Sequence, residues 1–143
     1  MPPATTIPDE LRDIFEEPAL GHVSYLNRKG QIVTYPMWVD FDGERILVSS
    51  PVGSRKGQTL RANRQVAVSV VSAKNAWHWV SVSGRVVDIR PDHDLAFIDR
   101  MAQKYLGTDY RLRTPREVFT IAIDRVSPSS RWLSGDRGSW GRE

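Results

Sequence analysis

Between Arg45 and Arg64 the chain reads RILVSSPVGSRKGQTLRANR. Ser49, Ser50, Ser54, Arg55, Lys56 and Thr59 gather hydroxyl and cationic donors where a β-run passes through a Pro/Gly/Ser bend into a short basic helix, expected over about Arg55 to Ala62. A helix start leaves backbone N–H groups unsatisfied and carries the positive end of the peptide dipole. Hydroxyls and cations added there suit an anion, and Gly53 and Gly57 let a ligand come close to the backbone. The chemistry implied is the holding of a phosphate. A plain strand–turn–helix connection with solvated basic residues has the same spacing, so the pattern alone leaves both readings open.

Other chemistries find less support. The chain has no cysteine, hence no disulfide or thiolate chemistry, and His22, His78 and His93 lack metal-ligand spacing, so no metal is expected. His78 is expected as a packed, hydrogen-bonded histidine and His22 as a buried hydrogen-bonding residue, with a contact at a cofactor's edge as the alternative, while Tyr35 and His78 are also the local candidates for a proton donor. The net charge is +3 with a pI near 9.5, a modest excess for a nucleic-acid binder. What clusters is Arg28, Lys29, Arg55, Lys56, Arg61 and Arg64, which would form one patch if the Asn27–Gly30 turn folds beside the central stretch. In an oligonucleotide-binding barrel Trp77, Trp79 and Arg85 would be the stacking face; that class is the least favoured, and no nucleic-acid partner is expected.

The elements that must position these residues can be read in order. At 143 residues and 16.2 kDa the chain is expected to form one domain, with 1–7 a loose leader and 127–143 a Ser/Gly/Arg-rich tail whose Trp132 and Trp140 are available to cover a site. Pro8 to Glu17 reads as a short helix with Leu11, Ile14 and Phe15 inward. Leu20–Leu26, Gln31–Phe41 and Arg45–Ser50 read as a three-stranded meander, turned at Asn27–Gly30 and at Asp42-Gly43. Pro36 must then sit at an edge, at a bulge or beside a ligand. Gln65–Ser72 is expected as a central strand covered on both faces, and Trp77–Ile89 as a long strand with Trp77, Trp79, Ser81, Ser83 and Arg85 on one side. A helix starting near Pro91 carries Leu95, Ile98, Met101, Ala102 and Tyr105 and closes at Gly107, and Glu117–Asp124 is the last strand. The fold class is mainly β, a small closed or nearly closed β-barrel with peripheral helices. No run is apolar enough to span a bilayer, and no secretory signal is visible, so a cytoplasmic protein without a membrane partner is expected.

Four strings in this order resemble the split β-barrel, FMN-binding-like superfamily of pyridoxamine 5'-phosphate oxidase-like proteins, and within it the F-420-dependent enzymes of actinobacterial type. They are His22-Val23-Ser24-Tyr25-Leu26; Thr34-Tyr35-Pro36-Met37-Trp38-Val39 with Asp42-Gly43; Ser54-Arg55-Lys56-Gly57-Gln58-Thr59-Leu60; and Trp77-His78-Trp79-Val80 running into Gly84-Arg85-Val86. The resemblance implies a homodimer with a cofactor at its interface, the ring bordered by Thr34, Tyr35, Pro36 and Met37. It implies phosphate contacts from Arg55, Lys56 and Thr59, an approach lined by Ser49 and Ser50, and Trp77 and Trp79 reaching across the interface. The implied activity is hydride transfer from F-420, a deazaflavin, to a small conjugated substrate. An FMN- or haem-binding barrel, oxidase or non-catalytic carrier, is the alternative. The C-terminal Arg-Leu-x-Pro motif of true pyridoxamine phosphate oxidases is missing, the tail reading Arg137-Gly138-Ser139-Trp140. The basic residues Arg28, Lys29, Arg55 and Arg61 suit the polyglutamate tail of a deazaflavin.

Overall fold

The computed structural model describes residues 5–127, so Trp132, Trp140 and the rest of the expected tail lie outside the described residues. Seven strands form one antiparallel sheet: β1 (Gly21–Leu26), β2 (Ile32–Met37), β3 (Asp40–Phe41), β4 (Ile46–Pro51), β5 (Gln65–Val71), β6 (Trp79–Pro91) and β7 (Arg116–Ser127). Their order across the sheet is β2-β1-β5-β6-β7-β4-β3. Helix α1 spans Arg55–Ala62 and α2 spans Ala96–Leu106. The N-terminal helix, Asp9–Glu16, is of the tighter 3-10 type and buries Leu11, Ile14 and Phe15 as their spacing predicts.

The expected meander is corrected at its second strand. The run from Gln31 to Phe41 is broken at Trp38-Val39, so that β2 pairs with β1 at one edge of the sheet while β3 pairs with β4 at the other. A flat seven-stranded sheet would hold its edges roughly 29 Å apart. The three residue steps from Met37 to Asp40 reach about 11 Å at most. The sheet therefore curls until both edges meet one segment, which makes the mainly β split barrel. Pro36 sits on an edge strand, where no neighbour asks for the N–H it lacks.

The crossing segment is held from several sides. The Val39 N–H donates to Tyr105 Oη (3.1 Å), which itself donates to the Ala19 carbonyl (2.6 Å). Lys104 Nζ donates to the carbonyls of Val39 (2.6 Å) and Phe15 (2.8 Å), and burial lowers the Lys104 pKa. Trp38 lies parallel to the Tyr105 ring at 5.2 Å between centroids. Gly21 leaves room for the crossing, since a Cβ there would stand 2.4 Å from Val39 Cγ1.

Inside the curl, Val23, Val39, Val48, Val68, Val80, Phe119 and Ile121 form the main core. A second cluster joins Leu47 and Val118 to Leu95, Phe97, Ile98 and Met101 of the α2 region. It is β4, buried along Ile46–Ser50, that is covered on both faces. The same expectation for β5 is corrected: Val66, Val68 and Val70 are buried while Gln65, Ala67 and Val71 are exposed. Among the described residues no helix is long and apolar enough to cross a membrane.

Tyr105→Phe keeps the ring against Trp38 but strands the Val39 N–H and the Ala19 carbonyl. A loss of about 1–3 kcal/mol in urea unfolding is expected, and an unchanged midpoint would show that the clamp carries no weight.

Candidate functional site

Helix α1 starts where the sequence places it. Ser54 caps it, its Oγ accepting from the Gly57 N–H (3.0 Å) and lying 2.7 Å from Ser50 Oγ. Gly57 permits this tight entry, because a Cβ would stand 3.1 Å from Ser54 Oγ and 3.3 Å from the Phe119 ring. The first turn projects Arg55 and Lys56 to different sides. Between α1, the end of β2, the outer face of β4 and α2 lies a cleft of about 300 Å³, lined by Pro36, Met37, Ser49 and Lys56 of the predicted set. Arg55 and Thr59 instead line a second recess of about 300 Å³, with Asn27, Arg28, Lys29, Gln31 and Gln58.

The single basic patch expected from the sequence is thus divided. Arg28, Lys29 and Arg55 do meet around one recess, the Asn27–Gly30 turn being brought there by the β1–β2 hairpin, where Asn27 Oδ1 accepts from the Lys29 and Gln31 N–H groups. Arg61 is taken up by a two-pronged ion pair with Glu117. Arg64 reaches the Val86 carbonyl on the sheet.

The remaining candidates have definite places. Tyr35 is part exposed, stacked on Tyr25 at 6.2 Å, with Lys56 Nζ 4.7 Å from the centre of its ring. Thr34 points to the other side of β2, its Oγ1 2.9 Å from Ser24 Oγ. Trp77 is 71% exposed in the turn before β6, and half-buried Trp79 opens β6 opposite Val71; neither lines either recess. His78 Nε2 lies 2.8 Å from Asp13 Oδ1 on the N-terminal helix, and this contact holds the Asp13 carboxyl below the usual carboxylate range. His22, expected to be buried, is exposed: it lies on the strand face opposite to Val23 and Tyr25, and those two take the inward positions.

Sequence reasoning missed much of the cleft wall. Trp38, Phe97, Ile98, Met101, Tyr110 and Arg116 all line it. Phe97, Ile98 and Met101 carry an ordinary helical core period, which says nothing of a cavity beside them. Trp38 stands between two tyrosines, parallel to Tyr105 and edge-on to Tyr110 at 5.8 Å. Arg116 donates from Nε to Ser49 Oγ (2.9 Å), and its guanidinium carbon lies 5.1 Å from the Tyr110 ring centre. In the sequence it falls at the end of the polar loop before the last strand, and only the pairing of that strand with β4 brings it to Ser49.

The electrostatics follow from this enclosure. Burial, then the positive charge of Arg116, lowers the Lys56 pKa from 10.5. Burial likewise lowers that of Arg116, opposed by Tyr110 and Asp92. No acidic side chain lines the cleft, and among the described residues neither cation has an ion-pair partner. An apolar hollow with two cations at one end can take a flat molecule bearing negative charge. Because the free ammonium is disfavoured, Lys56 should lose its proton, and with it its hold on an anion, at lower pH than a lysine of pKa 10.5. Amine acylation at Lys56, followed by peptide mass mapping from about pH 7 to about pH 11, should rise early and be suppressed by inorganic phosphate; labelling that rises only near the ordinary lysine pKa of 10.5 would contradict this.

No curated protein matches this chain. A solved structure described as an F420 reductase superposes with a TM-score of 0.76 at 25% identity, covering 86% of this chain and all of that one. A conserved hypothetical protein from Mycobacterium tuberculosis gives 0.66 at 18% identity, covering 88% and 87%. HupZ of Group A Streptococcus gives 0.63 at 18%, covering 84% and 91%; these last two speak for the fold alone. The family model described as pyridoxamine 5'-phosphate oxidase matches residues 7–130, from the N-terminal helix through the last strand. The chain therefore belongs to the pyridoxamine 5'-phosphate oxidase-like split-barrel superfamily, which includes oxidoreductases, and resembles its F420-type members.

Proposed function

We propose that the protein is an F-420-dependent reductase that passes a hydride to a small conjugated organic substrate, with the cofactor bound at a homodimer interface. The observation that carries this reading is the first turn of α1, where Lys56 faces an apolar cleft bordered by Pro36 and Met37 while Arg55 and Thr59 face an adjoining basic recess. That donor set fits an anionic cofactor with a flat ring. Tyr35, Pro36 and Met37, with Thr34 on the same strand, would border the ring; Arg55, Lys56 and Thr59 would hold the phosphate, with Ser49 and Ser50 along its approach. Arg28 and Lys29 line the same recess and would add cations for a chain of further carboxylates. The likeness to an F420 reductase supports the deazaflavin over a flavin.

When bound and reduced, a deazaflavin supplies a hydride. The chain's own residues orient the partners and exclude water; no nucleophile is needed. The proton that completes the reduction would come from solvent or from Tyr35, since His78 is engaged with Asp13. A second copy would use the exposed apolar groups Ile32, Val71 and Trp77, with Trp79 beside them, to bury the outer face of the sheet and complete the pocket.

Parallel titration of the purified protein with F-420 and with FMN, following tryptophan fluorescence, tests the reading. Preferential binding of F-420 is expected; preference for FMN would move the protein to the flavin-binding alternative. Lys56→Ala should weaken F-420 binding by roughly 10- to 100-fold, from the loss of a charge-assisted contact, with little change in melting temperature. Parallel loss of both would mean that Lys56 serves the fold.

A further inference from the structure

The cleft holds one cation more than the cofactor reading uses. Arg116 comes from β7, outside every string that signalled the family resemblance, yet it is bonded to Ser49 and stands close enough to Lys56 for its charge to disfavour the ammonium. Lys56 and Arg116 share one partly dry hollow whose lining holds no carboxylate, and Asp92 nearby only partly offsets the cost of burying Arg116, an arrangement that a bound anion would complete. On the other side of α1, Arg28, Lys29, Arg55, Gln58 and Thr59 surround a separate recess that likewise has no acidic lining, so the phosphate that the cofactor reading gives to Arg55, Lys56 and Thr59 can be held without Arg116. The same cleft is also lined by Phe97, Ile98 and Met101, whose side chains offer contact to a flat unsaturated body but no hydrogen bond.

We propose that Arg116, held in place by Ser49, receives the anionic group of the substrate, and that the substrate is a flat conjugated carboxylate whose body lies against Phe97, Ile98 and Met101. A planar guanidinium fixed through Nε matches a carboxylate better than a lysine would, and its stacking on Tyr110 limits its rotation. A cleft of about 300 Å³ is at the lower end of small-ligand sites, so the part of the substrate held beside Arg116 is of one or two fused rings. Arg116 is in this sense the residue that selects among conjugated substrates. The substrate class rests on the reductase reading; the anion site itself does not.

Binding of 2-naphthoate and of its neutral counterpart 2-naphthamide to the full chain, read by quenching of tryptophan fluorescence, tests the site without turnover. The acid should bind at least tenfold more tightly than the amide. Arg116→Gln should abolish that preference, Arg116→Lys should restore part of it, and F-420 affinity should stay within about twofold in both variants, as expected for a cation that contacts the substrate and not the cofactor. A circular dichroism melt of each variant separates loss of the site from loss of the fold. Equal binding of acid and amide by the wild-type chain would overturn the proposal. So would a fall in F-420 affinity in Arg116→Gln matching that in Lys56→Ala, since the anion would then be the cofactor's phosphate. If F-420 fails to bind the wild-type chain while the preference for naphthoate persists and depends on Arg116, the reductase reading falls and the anion site stands.

Discussion

Two residues, Trp38 and Val39, join strands at opposite edges of a seven-stranded sheet. Everything else about the molecule has to accommodate that short bridge. A span of about 11 Å cannot connect the edges of a flat sheet, so the sheet must bend into a split barrel, and the bridge must pass close over β1, where Gly21 is bare enough to admit it. Crossing between edges also takes backbone groups out of the ladder, and in a buried place each needs another partner. Tyr105 and Lys104 at the end of α2 supply those partners. The helix is therefore tied to the bridge before it contributes anything to a cleft.

The same bridge makes the cleft. Because β3 continues directly from β2, the end of β2 is carried against the outer face of β4, and α2, clamped to Val39, is brought over that face as well. Leu47 and Val118 pack under α2 while Ser49, one alternation along, is left at the rim with Arg116 beside it. A strand buried on both faces is costly for a serine unless its hydroxyl is engaged. Here Ser49 accepts from Arg116 and Ser50 meets the cap of α1, so the polar pair inside β4 links the helix start to the last strand.

Charge is distributed by the same geometry. On α1 the neighbours Arg55 and Lys56 stand about 100° apart around the axis, so one basic dipeptide serves two recesses. Arg61, a turn further on, is neutralised by Glu117 from β7. Glu117 and Arg116 are adjacent in a strand and so point to opposite faces, which leaves Arg116 in the cleft with no acidic side chain in its lining and places the acidic neighbour where it quenches a different arginine.

Much of this was written locally. The helix from Arg55 to Ala62 and the Asp42-Gly43 turn follow from backbone chemistry that acts over a few residues, the same chemistry limited Pro36 to an edge, a bulge or a ligand's side, and local strings were enough to reveal the superfamily. The alternation of β6 was legible for the same reason. What the sequence could not state is which strand lies beside which. The break at Trp38-Val39, the exposure of one face of β5 and of His22, the double burial of β4, and the meeting of Arg116 with Ser49 across 67 positions depend on long-range pairing, whose energy comes from closing the sheet and not from any local pattern. The sequence by itself determined the elements, the anion-suited helix start and the family; only the tertiary structure decided the division of the basic residues between two recesses and the aromatic wall of the cleft, because both arise where distant segments are forced together by one bridge too short to span a flat sheet.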